Sequence, residues 1–227
     1  MAQTTHTQTL IIVAGGSGQR MQSDIPKQFL LLQNKPILMH AIQAFVDYNP
    51  AINIIVVLPK EHIETWKSLC KKYRFKVKHA TTAGGETRFE SVKNGLELAP
   101  DSGLIAVHDG VRPLINTALI ERCFAKAASH GTAIPIVDVN ESIRKIDKCH
   151  SASVNRTDYK IVQTPQVFNA YTLKCAYKQI HHDNFTDDAS LVEAMGLYIH
   201  LVEGMTENIK ITKPIDLALA EIILQES

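Results

Sequence analysis

Short apolar runs punctuate the chain at Leu10–Val13, Ile52–Leu58, Leu104–Val107, Ala133–Val137 and Tyr198–Val202, with stretches of helical length between them. Runs this short, apolar throughout, suit strands covered on both faces. The segments Pro36–Tyr48, Glu61–Tyr73, Thr87–Leu98 and Asn116–His130 are amphipathic and predict helices. Alternation of strand and helix predicts an α/β fold around a mostly parallel sheet. Pro36 suits a first helical turn, Asn116 or Thr117 a cap, and Pro214 the start of a closing helix over Ile215–Leu224.

From Asp138 to Lys160 the pattern breaks into polar segments with isolated Ile143, Ile146 and Val154. That predicts an arm, residues 138–160, inserted in one domain of residues 1–227, with residues 1–9 as a flexible tail. A lone hairpin is marginal in water, so a partner subunit is expected to cover the arm.

Lys and Arg number 24 against 23 Asp and Glu, so no global field recruits nucleic acid or an anionic membrane, and neither is an expected partner. An anionic ligand must be captured by a local site. The polar N-terminus and strand-sized apolar runs fit neither a signal peptide nor a membrane helix, which predicts a cytoplasmic protein. Cys70, Cys123, Cys149 and Cys175 stand far apart without a C-x-x-C pair, as expected of reduced structural thiols rather than a zinc site or disulfide framework.

The first run leads straight into Ala14-Gly15-Gly16-Ser17-Gly18-Gln19-Arg20-Met21, and Pro26-Lys27-Gln28 follows. Glycines let a backbone approach phosphates and aim N–H groups at them. Arg20 adds a planar fork and Lys27 a point charge, suited to the negative charge of phosphoryl transfer. An ordinary glycine turn with two solvated cations is the bland alternative. The loop is not a P-loop, because no Gly-Lys-Ser/Thr triplet occurs in it. Nor is it a dinucleotide fingerprint: Met21 stands where the third glycine belongs, and Leu58-Pro59 where the ribose-binding acid belongs.

A second pair, Gly84-Gly85, precedes Glu86-Thr87-Arg88-Phe89-Glu90-Ser91. It is suited to wrap a base or ribose while Ser91 offers a hydroxyl, or else forms a turn capped by Thr87. Val107-His108-Asp109-Gly110-Val111-Arg112-Pro113 places an acid and an arginine at the carboxyl end of a buried strand, where open α/β sheets bind ligands. Asp109 there suits ribose hydroxyls, an acceptor or a magnesium shell, or a structural pairing with Arg112. In Asn208-Ile209-Lys210-Ile211-Thr212 the alternation turns Lys210 away from the apolar face. Asp187-Asp188 after Thr186 reads as a charge pair at a helix start, and His181-His182 as a solvated pair.

Taken together, A-G-G-S-G-Q-R-M with P-K-Q-F, G-G-E-T-R-F-E-S-V, V-H-D-G-V-R-P, V-N-R-T-D-Y-K-I-V-Q-T-P-Q-V-F, T-D-D-A-S and L-V-E-G-M-T-E-N-I-K-I-T resemble the 2-C-methyl-D-erythritol 4-phosphate cytidylyltransferases of the non-mevalonate isoprenoid pathway, from Leu10 to about Glu221. The resemblance implies a single Rossmann-like nucleotidyltransferase domain with an extended β-arm used in dimerisation. It implies that the acceptor's phosphate attacks the α-phosphorus of CTP, with magnesium held mainly by the substrate phosphates and not by a protein metal site. Carried over by motif, Arg20 and Lys27 stabilise the transition state, while Arg156 and Lys210 hold the acceptor phosphate. Asp109, Thr164, Thr186 and Arg112 are then the contacts to the polyol phosphate. Nucleotide contacts come from Ala14, Gly15, Gly16 and Gly18 in the first loop, from Gly85, Glu86, Arg88 and Ser91 around the second, and from Gly110. The resemblance further implies a homodimer in which Arg156 and Thr164 reach the partner's site. A ribitol 5-phosphate cytidylyltransferase shares the first loop and N-I-K, and a non-catalytic nucleotide-binding subunit is the alternative outside enzymes.

Overall fold

The computed structural model describes residues 6–16, 25–179 and 185–226. The first apolar run forms β1 (Gln8–Val13), whose alternate residues enter different cores: Leu10 and Ile12 face one layer of helices, Ile11 and Val13 the other. A small hairpin, β2 (Leu31–Leu32) and β3 (Lys35–Pro36), precedes α1 (Ile37–Tyr48). Then follow β4 (Asn53–Leu58), α2 (Ile63–Lys72), β5 (Ala80–Ala83), α3 (Arg88–Leu98), β6 (Leu104–Asp109), α4 (Thr117–His130) and β7 (Thr132–Asp138). The second half contributes β8 (Arg144–Asp147), β9 (His150–Ser153), β10 (Lys160–Val162), β11 (Gln166–Asn169), α5 (Ala170–Ala176), α6 (Asp188–Glu193), β12 (Leu201–Glu203) and α7 (Pro214–Glu226).

The core of the sheet is parallel, as expected: β1 lies between β4 and β6, and β5 flanks β4. The sequence pattern gives no warning of β11, which runs antiparallel between β6 and β7. Along β7, Ile136 faces Val162 of β10 on one flank and Glu203 of β12 on the other. Residues of α1, α2 and α4 fill the core on one face of the sheet, and residues of α3, α5 and α6 fill that on the other. Asn116 caps α4 by accepting from the Leu119 amide at 2.9 Å, and Gly131 ends that helix in the left-handed conformation that favours glycine.

Trp66 of α2 is fully buried, donates its indole N–H to His79 Nε2 at 2.9 Å, and lies parallel to the ring of Phe29 at a centroid distance of 6.2 Å. Phe29 ends a 3-10 turn over Lys27–Phe29, so this stack ties a stretch beside the first glycine loop to the core.

Several expectations need correction. Gln8 and Thr9 are not part of a tail, because they belong to β1, and the Thr7 carbonyl before them accepts from the Leu104 amide at 2.9 Å. The arm is narrower than 138–160, since Lys160 pairs with Asp138 in the main sheet. What protrudes is β8–β9, paired with each other and exposed along their length. The run at Tyr198–Val202 yields only β12, and Tyr198 is exposed. Cys123 fits the structural reading, with burial pushing its thiol up to about 12, but Cys149 is exposed between β8 and β9. Among the described residues no helix is long and apolar enough to cross a membrane.

Candidate active site

The carboxyl ends of β1 and β6 and the turn that follows β5 open onto a cleft of about 340 Å³. After β1, the Ala14 amide donates to the Val57 carbonyl at 2.9 Å, carrying the backbone into Gly15 and Gly16 at the mouth of the cleft. A Cβ on Gly16 would stand 3.2 Å from Lys27 Cε and 3.5 Å from Nζ. The absence of a side chain there is what lets the Lys27 stem run along the loop.

Across the cleft, Gly84 donates to the Leu58 carbonyl at 2.8 Å and Gly85 donates to Ser91 Oγ at 3.2 Å. Thr87 caps α3 in a reciprocal box with Glu90, so the helix-cap reading of this segment holds together with its place in the cleft wall. Gly15 comes near the same Ser91 hydroxyl, with its missing Cβ 3.6 Å from Oγ. Two glycine turns from different strands therefore converge on one buried serine.

Asp109 ends β6 and is 6% exposed. Its Oδ2 lies 2.9 Å from Lys210 Nζ and 3.5 Å from Arg112 Nε, and its Oδ1 lies 3.7 Å from Arg88 Nε. Burial alone would raise this carboxyl, but the charges of Arg88, Lys210 and Arg112 outweigh it and hold Asp109 well below the usual carboxylate range. Behind it the Thr164 hydroxyl accepts from the Asp109 amide at 3.1 Å and meets His108 Nδ1 at 3.1 Å. His108 Nε2 lies 3.1 Å from the Arg112 carbonyl, which can only accept. Nε2 therefore carries the proton and Nδ1 receives that of Thr164. Burial holds the imidazole neutral, down to about 4.

The segment bearing Lys210 is clamped from below. Asn208, fully buried, donates to the Thr164 carbonyl at 2.9 Å, while its own carbonyl accepts from Arg112 Nη1 at 2.7 Å. Gln163 donates to the Met205 carbonyl at 2.6 Å and accepts from the Met205 amide at 3.1 Å. The expected alternation holds in part: Lys210 points into the cleft and Ile211 is buried, but Asn208 is buried too.

Of the expected site residues, the described structure brings Ala14, Gly15, Gly16, Lys27, Gly85, Glu86, Arg88, Ser91, Asp109 and Lys210 to the cleft. Arg20 and Gly18, like His181 and His182, lie outside the described residues. Gly110 is a packing glycine and not part of the cleft lining, because a Cβ there would meet Leu38 at 2.9 Å and Ala14 at 3.1 Å. Arg112, ion-paired with Asp109 and bonded to the Asn208 carbonyl, and Thr164, bonded to the Asp109 amide, sit behind the carboxylate and do not line the cleft. Thr186 is exposed beside a small pocket next to Arg88, and Arg156 is exposed at the base of the arm, hydrogen-bonded to the Asn140 carbonyl. Neither lines the cleft of its own chain.

Asp188 is the largest omission from the sequence reading. It does stand at the start of α6, as read from the sequence, but it is fully buried, gripped by both Arg88 Nη atoms at 3.0 and 2.6 Å and by the Tyr177 hydroxyl at 2.5 Å. Asp187 does cap α6, accepting from the Ser190 amide at 2.9 Å. Among the described residues no group of three or more His, Cys, Asp or Glu could cage a metal. Size alone does not single out the cleft: a cavity of about 940 Å³ bounded by Asn53, Arg74 and His79 is larger, but neither glycine nor carboxylate lines it.

Residues 8–226 match the family model described as 2-C-methyl-D-erythritol 4-phosphate cytidylyltransferase. The chain belongs to this cytidylyltransferase family. A 2-C-methyl-D-erythritol 4-phosphate cytidylyltransferase from Bacteroides thetaiotaomicron is 53% identical over 96% of this chain and 99% of its own. Among solved structures, the family member from Thermus thermophilus superposes with a TM-score of 0.78 at 30% identity, covering 96% of this chain and 98% of that one. The 4-diphosphocytidyl-2C-methyl-D-erythritol synthase from Anaerococcus prevotii gives a TM-score of 0.82 at 26% identity, covering 97% and 99%. Membership makes the chain a nucleotidyltransferase.

Proposed function

We propose that the chain transfers the cytidylyl group of CTP to 2-C-methyl-D-erythritol 4-phosphate, giving 4-diphosphocytidyl-2-C-methyl-D-erythritol and pyrophosphate in the non-mevalonate isoprenoid pathway. The observation that carries this reading is the convergence of Lys27 and Lys210 on one cleft with the two glycine turns and Asp109.

An oxygen of the acceptor's phosphate forms the new bond to the α-phosphorus, and the bond from that phosphorus to the bridging oxygen of the β-phosphate breaks. Pyrophosphate leaves with the electron pair. A phosphate monoester has its second pKa near 6, so at neutral pH the nucleophile is already largely ionised and no general base is required. The work left to the protein is alignment of two anions and dispersal of their charge. Lys27, together with Arg20, stabilises the charge on the pentavalent centre, while Lys210 holds the acceptor phosphate. Gly15, Gly16, Gly85 and Ser91 receive the nucleotide, and Asp109 accepts from substrate hydroxyls. A divalent cation would sit mainly on the phosphate oxygens, where magnesium would supply further neutralisation.

The self-paired β8–β9 arm supports a homodimer, because both its faces lie open to solvent in one chain. Arg156 is exposed at its base and suited to reach a partner's acceptor site. Thr164, buried in its own chain, serves Asp109 instead.

Pyrophosphate release, measured with each of CTP, UTP, ATP and GTP against methylerythritol 4-phosphate and ribitol 5-phosphate, tests the reading. The expected result is turnover with CTP and methylerythritol 4-phosphate far above every other pair. Preference for ribitol 5-phosphate, or no release with any pair, would overturn it.

A further inference from the structure

Arg88 is expected from the sequence among the nucleotide contacts, yet both of its Nη atoms are already taken by a carboxylate that is 0% exposed. The pairing is a fork on a fork, Nη1 to Oδ1 at 3.0 Å and Nη2 to Oδ2 at 2.6 Å, which fixes the plane of the guanidinium as well as its position. Tyr177 fixes the other side of the carboxylate, donating to Oδ1 at 2.5 Å while its ring stacks on Phe89 at 4.8 Å. Toward the cleft, Arg88 Nε lies 3.7 Å from Asp109 Oδ1.

We propose that Asp188, supported by Tyr177, is a positioning residue of the transfer reaction: it locks the Arg88 guanidinium toward α6 so that this cation braces Asp109 instead of closing on the triphosphate. This rests on the cytidylyl-transfer reading above. The physical reason lies in how binding energy is used. A cation that gripped ground-state phosphates would tighten substrate binding without lowering the barrier, whereas a fixed brace keeps the reacting groups in register. A buried carboxylate suits that task because breaking the pair strands a charge, so Arg88 stays committed while ligands come and go. The same bond ties the nucleotide wall at the start of α3 to the first residue of α6, two positions after Thr186.

Asp188→Asn keeps the shape and one acceptor oxygen, but it turns the other oxygen into an NH2 donor and removes the charge that retains Arg88. Steady-state kinetics with CTP and methylerythritol 4-phosphate, together with calorimetric CTP binding in magnesium buffer without acceptor, should be compared for wild type, D188N, R88Q and R88Q/D188N. We expect D188N to lower kcat about tenfold or more while tightening the CTP Kd about threefold or more, as the released guanidinium turns to the phosphates. The double variant should be no slower than R88Q, because Asp188 acts through Arg88. A merely structural loss would lower the active fraction and leave Kd unchanged. Unaltered kcat in D188N, a CTP Kd that stays constant or weakens, or losses that multiply in the double variant would each overturn the proposal. If D188N is insoluble, the comparison of R88Q, which leaves the Asp188 carboxylate unpaired, with R88Q/D188N, in which neither charge is stranded, decides: a double variant no slower than R88Q supports the proposal and a slower one overturns it. A wild type that binds CTP but releases no pyrophosphate with methylerythritol 4-phosphate would instead sink the functional reading, leaving the Kd comparison to judge Arg88.

Discussion

Lys210 Nζ and Asp109 Oδ2 meet at 2.9 Å on the floor of the cleft, although one residue ends a central strand and the other lies in the loop before the last helix. The Lys210 side chain is 41% exposed, so the pair is screened and contributes about 1 kcal/mol or less to stability. On the proposed function, an entering phosphate competes with Asp109 for the ammonium. Lys210→Met should therefore lower turnover about 100-fold and raise the acceptor KM, while the thermal midpoint moves by no more than about 4 °C. Kinetics and calorimetry on one preparation check both halves, and a large drop in the midpoint with normal turnover would contradict the assignment.

Lys27→Ala removes the ammonium that runs beside Gly16. Turnover should fall on the order of 100-fold or more, taking a lost oxyanion donor as the guide, with circular dichroism unchanged. Wild-type-like turnover in the folded variant would remove Lys27 from the mechanism.

Gly85→Ala places a Cβ 2.6 Å from Glu90 Oε2, inside the box that caps α3. The start of that helix must shift, and with it the wall around Ser91. We expect the CTP KM to rise about tenfold with kcat changed far less, the pattern of lost ground-state binding. A normal CTP KM would show that the second glycine turn does not touch the nucleotide.

His108 gives stability a pH dependence of known sign. Burial depresses its pKa from 6.5 to about 4, so between those values the unfolded chain takes up a proton that the folded chain refuses. This contribution is complete above about pH 6.5 and is lost as pH falls to about 4, a change of roughly 3 kcal/mol. Urea melts at several pH values should show the stability gap between wild type and His108→Asn narrowing across that window. Parallel curves would rule the imidazole out as the source.

If Arg156 serves a partner's site, Arg156→Ala should raise the acceptor KM steeply while sedimentation still reports a dimer. Mixing it with Lys27→Ala should restore up to about a quarter of wild-type activity, because half of randomly exchanged dimers carry one intact site. No recovery after confirmed exchange would confine Arg156 to its own chain.

The fold was legible where burial on both faces writes itself as an unbroken apolar run, as in β1, β4 and β6. It was illegible where a strand is four residues long with polar ends, as in β11, which owes its central place to neighbours and not to its own pattern. The cleft residues Lys27, Asp109 and Lys210 could be singled out because each stands next to a strand end, a glycine turn or an alternating segment. Asp188, His108, Gln163 and Asn208 could not be seen as a supporting frame. An acid at a helix start and an amide in a loop look solvated in one dimension, and only packing shows that they are buried.

The parallel rings of Phe29 and Trp66 have a practical consequence. The chain contains a single tryptophan, and it is stacked on the turn that bears Lys27. Its ultraviolet emission therefore reports on that turn without any label, and a stopped-flow instrument would show whether added nucleotide disturbs it.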